Sequence, residues 1–203
     1  MKQYDAIIIG SGQAGTPLAF KFASKNKKVA FIEKEHFGGT CLNEGCTPTK
    51  AYVASARRMY DAMNGEPLGI SIPKGAKADM KIIRQRKDSL VQKSVEGLTN
   101  ALENNKNIDI YKGSAVFSGP KSIEIDDTEI KGDKIFINTG ARARIPEGFE
   151  DVNYLTNKEI LDLEEIPEHL IIVGGSYIGL EFGQIFRRFG SKVTIIEKGD
   201  GLI

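Results

Sequence analysis

Both cysteines of this chain, Cys41 and Cys46, lie in residues 38–50, Gly-Gly-Thr-Cys-Leu-Asn-Glu-Gly-Cys-Thr-Pro-Thr-Lys. Two thiols this close can exchange electrons with a disulfide or take up a soft metal ion, and both chemistries run through the thiolate. Four residues separate them. A regular helix would carry the second cysteine about 7.5 Å along the axis, whereas bridgeable Cα atoms lie within about 7 Å, so a turn is expected between them. Asn43 and Gly45 are types that tolerate the positive φ of such a turn, and Pro48 suits the first turn of a helix. Cys46 is therefore expected at a helix N-terminus, where the dipole and free N–H groups favour a thiolate. Lys50, one turn on, adds a positive charge. On this reading Cys46 is the better stabilised thiolate and Cys41 the exchanging thiol. Glu44, a carboxylate between them, would tend to raise thiol pKa values. The plain alternative makes both cysteines small buried hydrophobes.

The elements that must position this window begin with a short apolar strand over residues 4–9. It runs into Gly10-Ser11-Gly12-Gln13-Ala14-Gly15 and then a helix to about Lys25. Gly10 permits a tight turn, Gly12 lets backbone approach a pyrophosphate, Gly15 allows close helix-to-strand packing, and the helix N-terminus receives phosphate charge. A second strand, 28–32, ends at Glu33, an acid at the distance that suits a ribose hydroxyl pair. The same construction recurs: an apolar run at 171–173, Gly174-Gly175-Ser176-Tyr177-Ile178-Gly179, a helix to Phe189 stopped at Gly190, and a strand 193–196 closed by Glu197. Two dinucleotide sites are implied, with Ser176 in place of the middle glycine of the second.

Between the two, residues 46–63 are expected as a helix and 64–79 as a surface loop. Ile83, Leu90, Val91, Val95, Leu98 and Leu102 follow helical spacing over about 79–104, which leaves Arg84, Arg86, Lys87 and Lys93 on a solvated face. Short strands are expected at 108–117, 122–125 and 134–138, with turn material at Asp126-Asp127-Thr128. Residues 141–168, with a capping-box pattern at Thr156-Asn157-Lys158-Glu159, are expected to connect to the second nucleotide unit.

The 203 residues carry 28 basic and 27 acidic side chains and a formal charge of +1. That balance gives no footprint for nucleic acid or an anionic membrane surface, and small-molecule partners are favoured. No apolar run approaches a membrane span, and the first residues lack a signal-peptide layout, so a cytoplasmic protein is expected. In a reducing compartment a cysteine pair is more often catalytic or metal-binding than structural. Only His36 and His169 could complete a metal site, and neither has metal-ligand spacing, so no metal site is expected.

Residues 38–50 resemble the redox-disulfide motif of the flavin-dependent pyridine-nucleotide disulfide oxidoreductases, the family of dihydrolipoamide dehydrogenase, glutathione reductase and mercuric reductase. The resemblance extends from the first glycine turn through the cysteine motif and Thr139-Gly140 to the second glycine turn. Residues 45–50, 137–142 and 174–181 look most like the mercuric-reductase-like branch. Glu44 departs from the family, which usually carries an apolar residue there.

The resemblance implies an α/β, Rossmann-type FAD/NAD(P)-binding fold, a parallel sheet with helices on both faces plus a small antiparallel β-meander. It implies FAD at Gly10, Gly12, Ala14, Gly15, Glu33, Gly39, Thr40 and Lys50, with Gly113 and Ala115 near the adenine and Thr139 and Gly140 returning to the flavin. NADH or NADPH would bind at Gly174, Ser176, Ile178, Gly179 and Glu197. Glu197 suits a free 2′-hydroxyl and would repel a 2′-phosphate, which favours NADH, while Lys198 beside it keeps NADPH open. Electrons would pass from the nicotinamide through FAD into a Cys41–Cys46 disulfide and on to a disulfide substrate or mercuric ion. Cys46 would face the flavin and Cys41 would exchange with substrate. Lys50 would lie beside the reactive flavin nitrogen with Glu181 as its carboxylate partner, and Tyr177 would cover the flavin until nicotinamide enters.

By the same resemblance residues 1–150 are a first, incomplete segment of the FAD domain, with the redox loop at 38–50, and 151–203 begin the NAD(P) domain. The chain is then expected to be an N-terminal fragment, inactive alone, of a homodimeric enzyme whose acid-base pair lies further on. The rival from another class is a non-catalytic flavin- or nucleotide-binding module.

Overall fold

Strand β1 (Lys2–Ile9) owes its place to three successive isoleucines that alternate between the two faces of a sheet. The computed structural model describes residues 1–71 and 75–203. It divides into two compact units, residues 1–47 with 91–154 and residues 48–90 with 155–203.

The first unit is built on a six-stranded sheet of order β3-β2-β1-β6-β5-β4. Its strands are β1, β2 (Val29–Glu33), β3 (Ile108–Lys112), β4 (Ala115–Gly119), β5 (Ser122–Ile125) and β6 (Thr128–Ile137). The β1–β2, β1–β6 and β2–β3 pairs are parallel, and β4–β5 and β5–β6 are antiparallel. Helix α1 (Gly15–Ala23) joins β1 to β2. On one face Ile8, Val29 and Phe31 pack with Ala19 and Ala23 of α1 and with Leu102. On the other, Ile7, Ala30 and Ile32 pack with Ile123, Ile125 and Ile130 of the meander. Burial of two sheet faces is why β1 and β2 read as continuous apolar runs instead of alternating ones. The mostly parallel α/β sheet with a small antiparallel meander agrees with the sequence expectation.

Two strand readings are corrected. The stretch 108–117 is two strands, β3 and β4, because Gly113 takes φ 150 and turns the chain between them. Its N–H bonds the Glu33 carbonyl at 3.0 Å. The strand expected at 134–138 starts earlier, at Thr128, since residues 128–131 pair with β5 and residues 130–137 with β1. The turn before it is a two-residue hairpin with Asp126 at φ 51.

The second unit holds the parallel pair β7 (His169–Val173) and β8 (Lys192–Ile196) with α5 (Tyr177–Phe189) between them. Gly190, at φ 118, ends α5 as expected. Phe182, Ile185, Phe186 and Phe189 of α5 form a core with Tyr52 and Ala56 of α3 (Cys46–Met63), Met80 at the start of α4 (Met80–Glu103), and Ile160 and Leu161. Phe186 and Tyr52 are fully buried, and truncating such a phenylalanine costs about 3–5 kcal/mol. Thr156 and Glu159 meet without forming a full capping box: the Thr156 N–H and hydroxyl both donate to Glu159 Oε2, at 2.7 and 2.5 Å, while the short 3₁₀ turn over Glu159–Asp162 has Lys158 as its N-cap.

The α4 charges are not all solvated. Lys87 is buried and paired with Asp88 at 2.7 Å and Asp162 at 3.1 Å, while Arg84 reaches Glu164 at 2.7 Å. Helical spacing placed Lys87 outward, but the 159–162 turn lies over it with its own carboxylate. The stretch expected as a loop at 64–79 holds a 3₁₀ turn, Glu66–Leu68, and its residues 72–74 lie outside the described residues.

Candidate functional site

In the first unit Gly10 ends β1 at φ 99, and its N–H bonds the Ile32 carbonyl at 2.8 Å. The turn is tight enough that a Cβ on Gly15 would lie 1.9 Å from the Gly10 carbonyl oxygen. At Gly12 a Cβ would meet nothing within 4 Å. This glycine thus faces open space at the N-terminus of α1, whose first turn carries no acid. Ala14 is the exposed N-cap residue, with no side-chain capping bond. Open backbone N–H groups at a helix start are an anion cradle.

Glu33 closes the turn from β2. Its Oε2 accepts the Ser11 N–H at 2.9 Å and the Ser11 hydroxyl at 2.6 Å, and Oε1 accepts the Glu35 N–H at 2.8 Å. Burial works to raise this carboxyl, but the donors from Ser11 and the following backbone outweigh it and hold it below the usual range. The second unit repeats the backbone part of this arrangement. The Gly174 N–H bonds the Ile196 carbonyl at 2.8 Å, a Cβ on Gly179 would lie 2.2 Å from the Gly174 oxygen, and Glu197 accepts the Gly175 N–H at 2.6 Å and the Gly199 N–H at 2.9 Å. Those backbone bonds, from Gly199, Gly175 and Lys198, lower the Glu197 carboxyl. Ser176 is the N-cap of α5, and Ile178 beside it is exposed.

The cysteines stand on a helix break in the first unit. Helix α2 (Gly39–Asn43) carries Thr40 and Cys41, and Cys46 is the first residue of α3. The expected turn is present, but not through positive φ at Asn43 or Gly45. The chain leaves the helix at Glu44, with φ −136, while Asn43 stays helical and donates to the Phe37 and Gly39 carbonyls, both at 2.9 Å. Gly45 is needed for space, since a Cβ there would lie 2.9 Å from the Thr40 oxygen and 3.1 Å from the Cys41 Cα. The positive φ values fall earlier, at Gly38 (91) and Gly39 (57).

A Cβ on Gly39 would lie 2.9 Å from the Gly12 Cα, so the cysteine loop rests directly on the phosphate turn. Cys46 is exposed and Cys41 half-buried. Burial, and then the Cys46 sulfur, push the Cys41 thiol up.

Gly113 and Ala115 lie at the β3–β4 junction, beside Ile125. Thr139 and Gly140 follow β6 and are exposed, Gly140 at φ 74. Just ahead of them, the Asn138 side-chain nitrogen is buried with no partner among the described residues. Open space at Gly12 and this orphaned amide at the end of β6 fit a bound flavin dinucleotide.

In the second unit Lys50, on α3, is paired with Glu181, on α5, as expected. Tyr177, the first residue of that helix, is largely exposed. Sequence reasoning missed Ser11 and Asn138, and took Gly45 for its φ where the structure needs its lack of a side chain. For Ser11 a signal existed, since the two glycine turns differ at that place, serine in one and Gly175 in the other. Among the described residues no group of three or more His, Cys, Asp or Glu side chains could hold a metal ion, and no helix is long and apolar enough to cross a membrane.

The profile of the pyridine nucleotide-disulphide oxidoreductases matches residues 4–203. The chain belongs to this family. Among the pyridine nucleotide-disulphide oxidoreductases similar to it, the dihydrolipoyl dehydrogenase of Acholeplasma laidlawii is 36% identical over 208 residues, covering 100% of this chain and 62% of the relative. The mercuric reductase of Bacillus cereus is 32% identical over 202 residues, covering 98% of this chain and 32% of the relative. The Cu(II) complex of the HOCl-induced flavoprotein disulfide reductase RclA from Escherichia coli superposes with a TM-score of 0.85 at 36% identity, covering 100% of this chain and 44% of that one. The chain thus spans roughly a third to three fifths of these relatives.

Proposed function

We propose that this chain is part of an FAD-dependent oxidoreductase that takes electrons from NADH or NADPH, passes them to a Cys41–Cys46 disulfide, and delivers them to a disulfide or a thiol-bound metal ion. The observation that carries this reading is the contact of Gly39 with Gly12, which seats the cysteine loop on the phosphate turn. The relatives named dihydrolipoyl dehydrogenase and mercuric reductase support the two substrate classes, and the Cu(II) complex of RclA supports a metal ion.

FAD would be held by Gly10, Gly12, Ala14, Gly15 and Glu33, with Gly39, Thr40, Lys50, Gly113, Ala115, Thr139 and Gly140 around it, and when bound it supplies two-electron transfer between nicotinamide and disulfide. Gly174, Ser176, Ile178, Gly179 and Glu197 would hold the pyridine nucleotide. Glu197, held as a carboxylate, favours the free 2′-hydroxyl of NADH. Residues 1–150 would be the first segment of the flavin domain and 151–203 the start of the pyridine nucleotide domain.

Two electrons and one proton from solvent open the disulfide to a Cys46 thiolate and a Cys41 thiol. Once Cys41 gives up its proton, its sulfur attacks one sulfur of a disulfide substrate and expels the other as a thiolate, which takes a proton from water. The Cys46 thiolate then attacks the Cys41 sulfur, releases the second substrate thiolate and restores the internal disulfide. The helix start under Cys46 favours the charge it carries between these steps. Lys50, oriented by Glu181, would supply fixed positive charge, and Tyr177 would cover a bound flavin until nicotinamide enters. The whole protein acts as a homodimer. A cysteine pair that cycles through a dithiol suits a reducing compartment, which supports a cytoplasmic protein.

The test is the visible spectrum of the FAD-loaded protein from the full-length gene, recorded anaerobically before and after two-electron reduction. A long-wavelength thiolate-to-flavin band that Cys46→Ser abolishes and Cys41→Ser retains is the expected result. Flavin that reduces without such a band removes the cysteines from the relay, and failure to bind flavin leaves a nucleotide-binding module.

A further inference from the structure

Ser11 is fully buried, and every polar atom it has is engaged within the first unit. Its N–H and hydroxyl both donate to Glu33 Oε2, and its carbonyl accepts the Thr16 hydroxyl at 2.6 Å. The hydroxyl oxygen also accepts the Gly38 N–H at 3.1 Å. The His36 carbonyl, at 3.4 Å, is a weaker claimant on the single hydroxyl proton than the carboxylate at 2.6 Å. Gly38 leads into α2 and Cys41, so the hydroxyl joins the acid at the end of β2 to the start of the cysteine loop.

The second nucleotide unit shows what this hydroxyl is not needed for. There the equivalent residue is Gly175, and Glu197 is held by backbone N–H groups alone. A side chain at that place would collide with Leu202 at 2.4 Å. A backbone turn is therefore enough to clasp the acid. What serine adds in the first unit is the bond to Gly38, at the point where Gly38 and Gly39 both take positive φ and Gly39 meets Gly12.

We propose that Ser11 is a positioning residue for the cysteine pair: it fixes the N-terminal anchor of the loop to Glu33, so that the approach of Cys41 to Cys46 that favours the disulfide depends on a group outside the cysteine motif. The inference rests on the reading that Cys41 and Cys46 cycle between dithiol and disulfide. With the hydroxyl removed, the Gly38 N–H loses its acceptor, the loop samples wider separations, and the ring closed by the disulfide becomes less favourable.

The experiment measures the Cys41–Cys46 dithiol–disulfide equilibrium of the chain in glutathione buffers by acid quenching, alkylation and mass spectrometry. Wild type, Ser11→Ala and Ser11→Gly are compared, the last copying the turn of the second unit. Both variants are expected to keep the circular dichroism of the wild type, to exchange the Gly38 amide with deuterium faster, and to shift the equilibrium toward the dithiol by about fivefold, the factor expected for one hydrogen bond. Folded variants whose equilibrium constant stays unchanged overturn the role of Ser11 while leaving the redox pair intact. A wild-type pair that forms no disulfide at any glutathione ratio overturns the redox reading itself, and the inference with it.

Discussion

Lys50 and Glu181, 131 residues apart in sequence, meet as an ion pair in the second unit. The lysine side chain is 64% exposed and the glutamate 28%. Such a pair stabilises a fold by only about 0.2–1 kcal/mol, so its value should lie in chemistry. Lys50→Met in the FAD-loaded full-length protein is expected to move Tm by less than about 4 °C. Reduction of the bound cofactor by NADH should slow by about a hundredfold. Thermal melts and stopped-flow absorbance check this, and a variant that loses stability without losing rate would make the pair purely structural.

Gly12 and Gly15 should separate binding from folding. Gly15→Ala drives a methyl into the Gly10 carbonyl and is expected to cost about 1–3 kcal/mol in urea unfolding. Gly12→Ala meets nothing, so stability should stay within about 0.5 kcal/mol. Its methyl would fill the phosphate cradle, and FAD affinity should drop at least about tenfold, the factor for 1.4 kcal/mol. Fluorescence titration with FAD reads the second effect, and equal affinities for wild type and Gly12→Ala would remove the cradle.

The two thiols should react unequally in the reduced chain without cofactor. Cys46 is exposed, whereas Cys41 is half-buried and pushed up by burial and by the Cys46 sulfur. Iodoacetamide at pH 8 is expected to label Cys46 first, by about threefold or more, because the thiolate is the nucleophile. The preference should shrink as pH rises and Cys41 ionises. Peptide mapping of brief labelling decides, and the opposite order would contradict the charge assignment.

Glu33 sets a pH limit. Its folded pKa lies below the ordinary value of 4.5, so its contribution to stability is complete above that value and is lost as pH falls through the lower folded value. Wild type should exceed Glu33→Gln in Tm at pH 7, and the difference should narrow below about pH 4.5. A gap that stays constant down to pH 3 would mean that the Ser11–Glu33 clasp does not depend on charge.

Much of this was legible in the residues. The two strand–glycine–helix passages declare themselves through local rules, since Gly10 and Gly174 need positive φ and Gly15 and Gly179 need to lack a side chain. The start of α3 at Cys46 and the end of α5 at Gly190 follow from proline and glycine placement. What escaped was set by partners distant in sequence. Lys87 has the spacing of a surface residue and is buried only because Asp162 comes to it. Strand β6 starts at Thr128 because β5 offers an edge. Gly45 looked like a residue chosen for φ, yet it is required by contact with Thr40 and Cys41. Ser11 looked like filler between two glycines until its hydroxyl was seen between Glu33 and Gly38.

The clasp of a strand-terminal acid on its own glycine turn occurs twice, and every group in it comes from one strand–helix–strand passage. A duplicated gene segment would carry its locking chemistry with it, needing no matching change elsewhere.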